Sequence, residues 1–276
     1  MDQEQMIFWQ QFSRTFFLTG PPMRPSAEDL ANYWDIANEW IQKRGAPRVL
    51  LLGVTPELYN LPWPKDTDFL AVDGSRDMID AVWPGPEDAI RCTNWLSLDL
   101  PEGSRDIVLC DGGLHLLRYP QAQHELIRLL RYTLSQDGIC IFRLFVQPST
   151  RENPDAVIQD LLDRKIHSLD ILKLRLSMSL QSEAGEGVEL AQVYNKLVEA
   201  APDLEKLAAR IGWPAERILI FNYYRETKYS YYWLTLEQAM NMFCSNRGGF
   251  QAHRLQIPSY GLGGRCPTIG LQRCSR

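Results

Sequence analysis

PRVLLLG (47–53), VTPEL (54–58) and, after a short connection, DFLAVD (68–73) form the stretch on which the reading of this chain turns. A strand of buried type ends in Gly53, and a second ends in an acidic residue, Asp73, 20 positions later. This is the outline of a β-α-β unit that cradles a nucleotide. The glycine lets the backbone come close to a ligand, and the carboxylate can accept hydrogen bonds from two ribose hydroxyls.

Working outward, the chain keeps alternating. AIRCT (89–93), DIVLCD (106–111) and ICIFRLF (139–145) read as further strands, with helices through SRDMIDAVW (75–83) and QAQHELIRLLRYTL (121–134) and a turn at 135–138. Near-continuous apolar strands between helices indicate a parallel sheet covered on both faces, and right-handed crossovers make it doubly wound. Ahead of it, IFWQQFSRTFFLTGPP (7–22) reads as an aromatic helix stopped by Gly-Pro-Pro. Ser26 and Asp29 read as a capping box for a helix over 28–43, with apolar residues at helical spacing.

After residue 148 the pattern changes. Segments 154–181 and 187–213 are helical by periodicity, 218–235 is dense in aromatics, and 236–244 is again helical. FQAHRLQIPSY (250–260) and PTIGLQR (267–273) read as a closing antiparallel pair. The expected fold is thus α/β: a Rossmann-like, doubly wound, mostly parallel seven-stranded sheet with N-terminal helices and a helical insertion before the last two strands. The segments are a helical cap (1–44), a core (45–148), a helical and aromatic insertion (149–249) and a C-terminal strand pair (250–276).

Composition narrows the classes. The 276 residues are 45% hydrophobic and 23% charged, ordinary for a globular chain, and a net charge of −5 speaks against a nucleic-acid partner held through phosphates. No apolar run reaches about 18 residues, so no membrane partner is expected. MDQEQMIFWQ (1–10) lacks the basic and apolar regions of a secretory signal, which makes the cytoplasm the expected location. None of the six cysteines forms a CxxC pair and the four histidines are scattered, so no metal site is expected.

The strands and their flanks resemble the class I S-adenosylmethionine-dependent methyltransferases. The resemblance rests on VLLLG (49–53), AVDGSRDMID (71–80), NWLSLDLPEGSRDIVLCDGG (94–113) and LLRYTLSQDGICIFR (129–143). It implies S-adenosyl-L-methionine as cofactor. Asp73, Gly74, Ser75 and Met78 would lie at the ribose, and Asn94, Trp95 and Leu96 at the adenine. Cys110, Asp111 and Gly112 would flank the cofactor at the end of the fourth strand. The chain departs from the family where a G-x-G-x-G is expected, having Gly53, Val54, Thr55, Pro56 and Glu57 in its place, a GxTPEL-type turn. Thr55 can stand for a glycine only with a negative φ and a ligand that tolerates a side chain there, Pro56 suits the first turn of a helix, and Glu57 could meet the ligand's ammonium.

The implied reaction is methyl transfer to an O, N or C nucleophile of a small-molecule acceptor. His115 is the histidine at the expected catalytic edge and the candidate general base. The cluster Tyr223, Tyr224, Tyr229, Tyr231, Tyr232 and Trp233 invites an aromatic acceptor pocket, with Tyr223, Tyr224, Tyr229 and Tyr232 as its candidates, against the plainer reading of core packing. Phe8, Trp9, Phe12, Phe16 and Phe17 suggest a helix that closes over the cofactor, or one that packs against a second copy in a homodimer. Two other readings stay open: a non-catalytic binding protein of the same fold, and an NAD(P)-dependent oxidoreductase, although G-x-G-x-x-G is missing.

Overall fold

A computed structural model describes residues 3–274; Met1, Asp2, Ser275 and Arg276, which the sequence reading places in the terminal segments, lie outside the described residues. The chain opens with α1 (Gln3–Ser13) and α2 (Ala27–Arg44). It then alternates through β1 (Arg48–Leu52), α3 (Pro56–Tyr59), β2 (Asp68–Asp73), α4 (Arg76–Val82), β3 (Ile90–Cys92), β4 (Arg105–Asp111), α5 (Gln121–Thr133) and β5 (Leu134–Arg143). The insertion contributes α6 (Pro154–Leu162), α7 (Leu169–Leu180), β6 (Val188–Glu189), α8 (Leu190–Ala200), α9 (Leu204–Ile211), α10 (Ala215–Leu219) and β7 (Ser230–Tyr231). α11 (Leu236–Cys244), β8 (Phe250–Gln256) and β9 (Thr268–Arg273) complete the chain.

The main sheet has seven strands in the order β3-β2-β1-β4-β5-β9-β8. β1 to β5 are parallel, and β9 runs antiparallel to both of its neighbours. Strand periodicity sorts the central apolar runs between two cores. Val49, Leu51, Ile107, Leu109 and Ile141 face Tyr33, Ile36, Ala37 and Ile41 of α2. Leu50, Leu52, Val108 and Phe142 face Leu126, Ile127 and Leu130 of α5 and Ala239, Met242 and Phe243 of α11. Ser26 caps α2 in a reciprocal box with Asp29, as the spacing predicts.

Three local expectations need correction, and one open stretch is settled. The first helix ends at Ser13 rather than continuing toward Gly20, and a single 3₁₀ turn at Phe16–Leu18 swings Phe12 and Phe16 edge-to-face, 6.1 Å apart. The turn expected at 135–138 is part of β5: Leu134 is already buried and pairs with Arg105, and an irregularity between Arg105 and Ile107 absorbs the exposed residues that follow. The aromatic run 218–235 is mostly helical turn, with only Ser230–Tyr231 pairing with Val188–Glu189. α11, grouped by sequence with the insertion, packs on the sheet through Phe243, whose ring lies 5.2 Å from that of Phe142. The rest of the insertion has its own core, including Val157, Leu161, Leu172, Leu176, Val193, Leu197 and Trp233.

A buried ionic cluster joins these parts behind the carboxyl edge of the sheet. Arg143, fully buried at the end of β5, donates to Asp111 at the end of β4 from Nε (2.5 Å) and Nη2 (3.0 Å). Its Nη1 donates to the Pro22 carbonyl at 2.6 Å and lies 3.7 Å from the Asp29 carboxylate. The Tyr33 hydroxyl donates to the Cys110 carbonyl (2.7 Å) and accepts from the Arg143 backbone N–H (2.9 Å). Tyr260, between β8 and β9, donates to Asp29 at 3.0 Å. Both carboxylates hold the Arg143 proton in place against burial. Removing the cation leaves two buried anions facing each other, so Arg143→Met should destabilise by about 3–5 kcal/mol, read as a lowered urea midpoint. Adding Asp111→Leu should recover part of the loss, and a single-variant cost under about 1 kcal/mol would show the cluster to be dispensable.

Candidate functional site

A cavity of about 350 Å³ opens at the carboxyl ends of β1, β2 and β4, where open α/β sheets place their ligands. α1 roofs it with Phe8, Trp9 and Phe12, and α7 of the insertion closes its far side with Asp170 and Lys173. α1 is held there by Phe8, which is buried with its ring 5.9 Å from both Tyr224 and Tyr229. The roof is thus supported by the insertion's aromatics.

The turn after β1 manages with one glycine. Gly53 has φ +96°, a left-handed value that disfavours any side chain, and its N–H donates to the Val72 carbonyl at 2.8 Å. Thr55 has φ −108° and precedes Pro56, the first residue of α3, so no second glycine is required. Glu57 follows on α3. Its Oε1 accepts from Arg24 Nε at 2.7 Å, and the Arg24 guanidinium lies 4.7 Å over the Phe16 ring. Its Oε2 is enclosed and has no hydrogen-bond partner among the described residues. A buried carboxylate oxygen left bare at a cavity wall is costly unless a cationic ligand group meets it.

Asp73 stands at the end of β2. Its Oδ1 accepts from the Ser75 backbone N–H at 2.7 Å, and burial nevertheless pushes its pKa up to about 6. Beyond it, the Trp95 indole N–H donates to the Val72 carbonyl at 2.8 Å, and Asn94 Oδ1 accepts from Leu96 N–H at 2.9 Å. These two bonds fix the loop after β3.

Of the residues the sequence reading places at the cofactor, Gly53, Val54, Thr55, Glu57, Asp73, Gly74, Met78, Asn94, Trp95, Leu96, Asp111 and Gly112 line this one cavity. Pro56, Ser75 and Cys110 do not. Ser75 is buried and its hydroxyl caps α4 by accepting from Met78 N–H. Cys110 points into the α5-side core, where burial pushes its thiol pKa far up. Asp111 reaches the wall with its carboxylate already gripped by Arg143.

At the acceptor end, Tyr224 and Tyr229 line the cavity while Tyr223 and Tyr232 do not. Tyr232 instead donates its backbone N–H to the His115 carbonyl at 2.8 Å. Arg24, Phe145, Asp170 and Lys173 belong to the wall and were not singled out by sequence, whereas Tyr231, part of the aromatic cluster read from the sequence, lines it as well. Asp170 and Lys173 carried a signal: charged residues within DILKLRLSMSL (170–180), a helix buried on most sides.

His115 is buried, stacked on Trp233 at 4.4 Å and 12°, with Tyr231 edge-on at 4.8 Å. Both ring nitrogens are enclosed without partners among the described residues, and desolvation lowers its pKa to about 3. A neutral imidazole so placed is a wall, and these surroundings do not favour the general-base role. The folded state therefore refuses a proton that the unfolded chain accepts, so stability is full above the ordinary value of 6.5 and is lost as pH falls toward 3. His115→Phe should remove this loss. Its melting temperature relative to the parent should rise from pH 7 to pH 5, by the equivalent of about 2 kcal/mol. A difference independent of pH would show that His115 titrates normally.

No family model and no curated protein matches the chain in sequence. Solved structures do match in shape. One from Rhodobacter sphaeroides, described under Zn-dependent alcohol dehydrogenases, is 11% identical and aligns over 100% of both chains with a TM-score of 0.64. The CcbJ methyltransferase of Streptomyces caelestis is 14% identical, aligned over 99% of this chain and 100% of its own, with a TM-score of 0.55. At these identities the likeness is one of fold, and the fold is Rossmann-like: a mostly parallel seven-stranded sheet flanked by helices. Among the described residues no group of three His, Cys, Asp or Glu side chains could hold a metal ion.

Proposed function

We propose that this protein is an S-adenosylmethionine-dependent methyltransferase acting in the cytoplasm on an O, N or C nucleophile of a small molecule. The observation that carries this reading is the bare, enclosed Oε2 of Glu57 beside Arg24, on the turn after β1. That pair presents an acceptor for an ammonium and a cation for a carboxylate, which is what the amino-acid end of the cofactor requires. Asp73 would take the ribose hydroxyls, and the loop of Asn94, Trp95 and Leu96 the adenine. When bound, the cofactor supplies an electrophilic methyl group on a sulfonium. The protein's own contribution is to align the acceptor and keep water out, through the α1 roof and the aromatic wall of the insertion. A dedicated base is optional where the acceptor arrives ionised.

The same turn argues against a nicotinamide dinucleotide. A pyrophosphate placed there would meet the Glu57 carboxylate in the first turn of a helix of only four residues. A non-catalytic binding protein is less favoured because the turn keeps Gly53 in its left-handed conformation and leaves Glu57 with an unmet acceptor.

Calorimetric titration should show S-adenosylhomocysteine binding at micromolar affinity, with NAD and NADP silent. Binding of NAD(P) alone would move the reading to an oxidoreductase, and no binding at all to a scaffold. Asp73 separates ligand binding from stability. Its pKa is raised from 3.8 to about 6, so the stability it contributes is full at low pH and lost as pH rises through 6. Asp73→Asn should stabilise the ligand-free protein at pH 7.5 by on the order of 2 kcal/mol, with the gain vanishing below about pH 4. The same variant should weaken S-adenosylhomocysteine binding by about 1–3 kcal/mol. Unchanged affinity would reduce Asp73 to a turn residue.

A further inference from the structure

Lys173 on α7 is 5% exposed and lines the cavity, and no described residue accepts a hydrogen bond from its Nζ. Its surroundings are aromatic: Nζ lies 5.9 Å from the centre of the Phe12 ring and 5.7 Å from that of Tyr224. Asp170, one helical turn earlier, attracts it without reaching ion-pair distance, and the Asp170 Oδ2 accepts from the Gly20 backbone N–H at 3.0 Å. Burial drives the Lys173 pKa down and the Asp170 pKa up, each against the attraction of the other. An ammonium with three donors is thus kept almost dry beside ring faces that relieve it only in part.

Apart from the neutral His115 ring, whose nitrogens have no partner among the described residues, the neighbouring hydroxyls are engaged. The Tyr224 and Tyr231 side chains interact with each other, and the Tyr229 hydroxyl donates to the Leu116 carbonyl at 3.1 Å. Arg24 is held by Glu57, on the stretch that receives the cofactor's amino-acid end in the reading above. Among the described residues, this side of the cavity therefore offers flat apolar walls and a buried donor-rich cation without an acceptor, Lys173, beyond the exposed Arg118 at the rim.

Taking the cofactor site as proposed above, we infer that the methyl acceptor is a flat aromatic acid whose carboxylate is held by Lys173 while its ring lies among Phe12, Tyr224 and Tyr231. A carboxylate would supply the acceptor atoms that Nζ lacks and remove the cost of an unpaired buried charge. The site discriminates against amines, which would bring a second cation beside Lys173, and against esters, which bring no charge.

The test is calorimetric binding of para-methoxybenzoate, its methyl ester and para-methoxybenzylamine to the full chain, with and without saturating S-adenosylhomocysteine. The acid should bind at least about tenfold more tightly than the ester, with the amine weakest. Lys173→Gln should bring acid and ester within about threefold of each other and leave S-adenosylhomocysteine affinity unchanged. Asp170→Asn, which removes the competing carboxylate and keeps the lysine, should hold or strengthen acid binding; it also serves if Lys173→Gln fails to fold. Equal or absent binding of acid and ester, an acid preference that survives Lys173→Gln, or weaker acid binding in Asp170→Asn would each overturn the assignment. A loss of S-adenosylhomocysteine affinity in Lys173→Gln would overturn it too, by placing the lysine at the cofactor's carboxylate. Failure of S-adenosylhomocysteine to bind the parent protein would instead refute the cofactor reading, and the acid-over-ester preference is measured independently of it.

Discussion

Arg143 is the cation around which the carboxyl edge of the sheet is assembled. It ends β5, is fully buried, and grips Asp111 on β4 while reaching the Pro22 carbonyl and Asp29 at the start of α2. Asp29 in turn takes the Tyr260 hydroxyl from the connection between β8 and β9. One guanidinium thus ties together two core strands, the N-terminal helical segment and the C-terminal strand pair. A fork of fixed donors suits this role better than an ammonium, because several acceptors must be met in set directions at once. Its worth to stability is conditional: a buried ion pair is strong only while every member is present.

The cavity inherits its rigidity from that arrangement. Asp111 and Gly112 follow directly from the clamped end of β4, and the Trp95 indole is pinned across the end of β2 by the Val72 carbonyl. Arg24 follows two residues after the Pro22 carbonyl that Arg143 holds, so the partner of Glu57 is positioned from the same centre. Ligand-facing groups on strand ends, supported by a second layer of hydrogen bonds, keep their geometry without a ligand. The groups left bare are then informative. Glu57 Oε2 and the Lys173 ammonium line the same cavity with complementary needs, one for a cation and the other for an anion.

Much of the architecture was legible from local pattern. The apolar runs of β1 and β4 imply cover on both faces, and the two cores confirm that division residue by residue. Asp73 was readable because a strand ending in aspartate places a carboxylate at the ligand edge whatever the remainder of the fold does. Thr55 could be interpreted because a negative φ was one condition for replacing a glycine, and φ is −108°. The aromatic stretch was less readable. Tyr231 faces the cavity whereas Tyr232 does not, a choice made by pairing with β6 over only two residues and not by any sustained alternation.

The sequence by itself determined the strand-and-helix alternation, the place of the nucleotide-type turn and the acidic end of β2, because each is encoded within a few residues by periodicity or backbone preference. Only the tertiary structure decided which side chains share the cavity. Arg24 and Glu57 are 33 positions apart, and Arg143 lies 114 positions after Asp29, so their pairing has no local signature. The same holds for His115, whose chemistry is set by Trp233 and Tyr231 from the insertion rather than by the strand edge from which it comes. Burial is a property of the folded surroundings, and it holds that histidine neutral in a setting that does not favour a base.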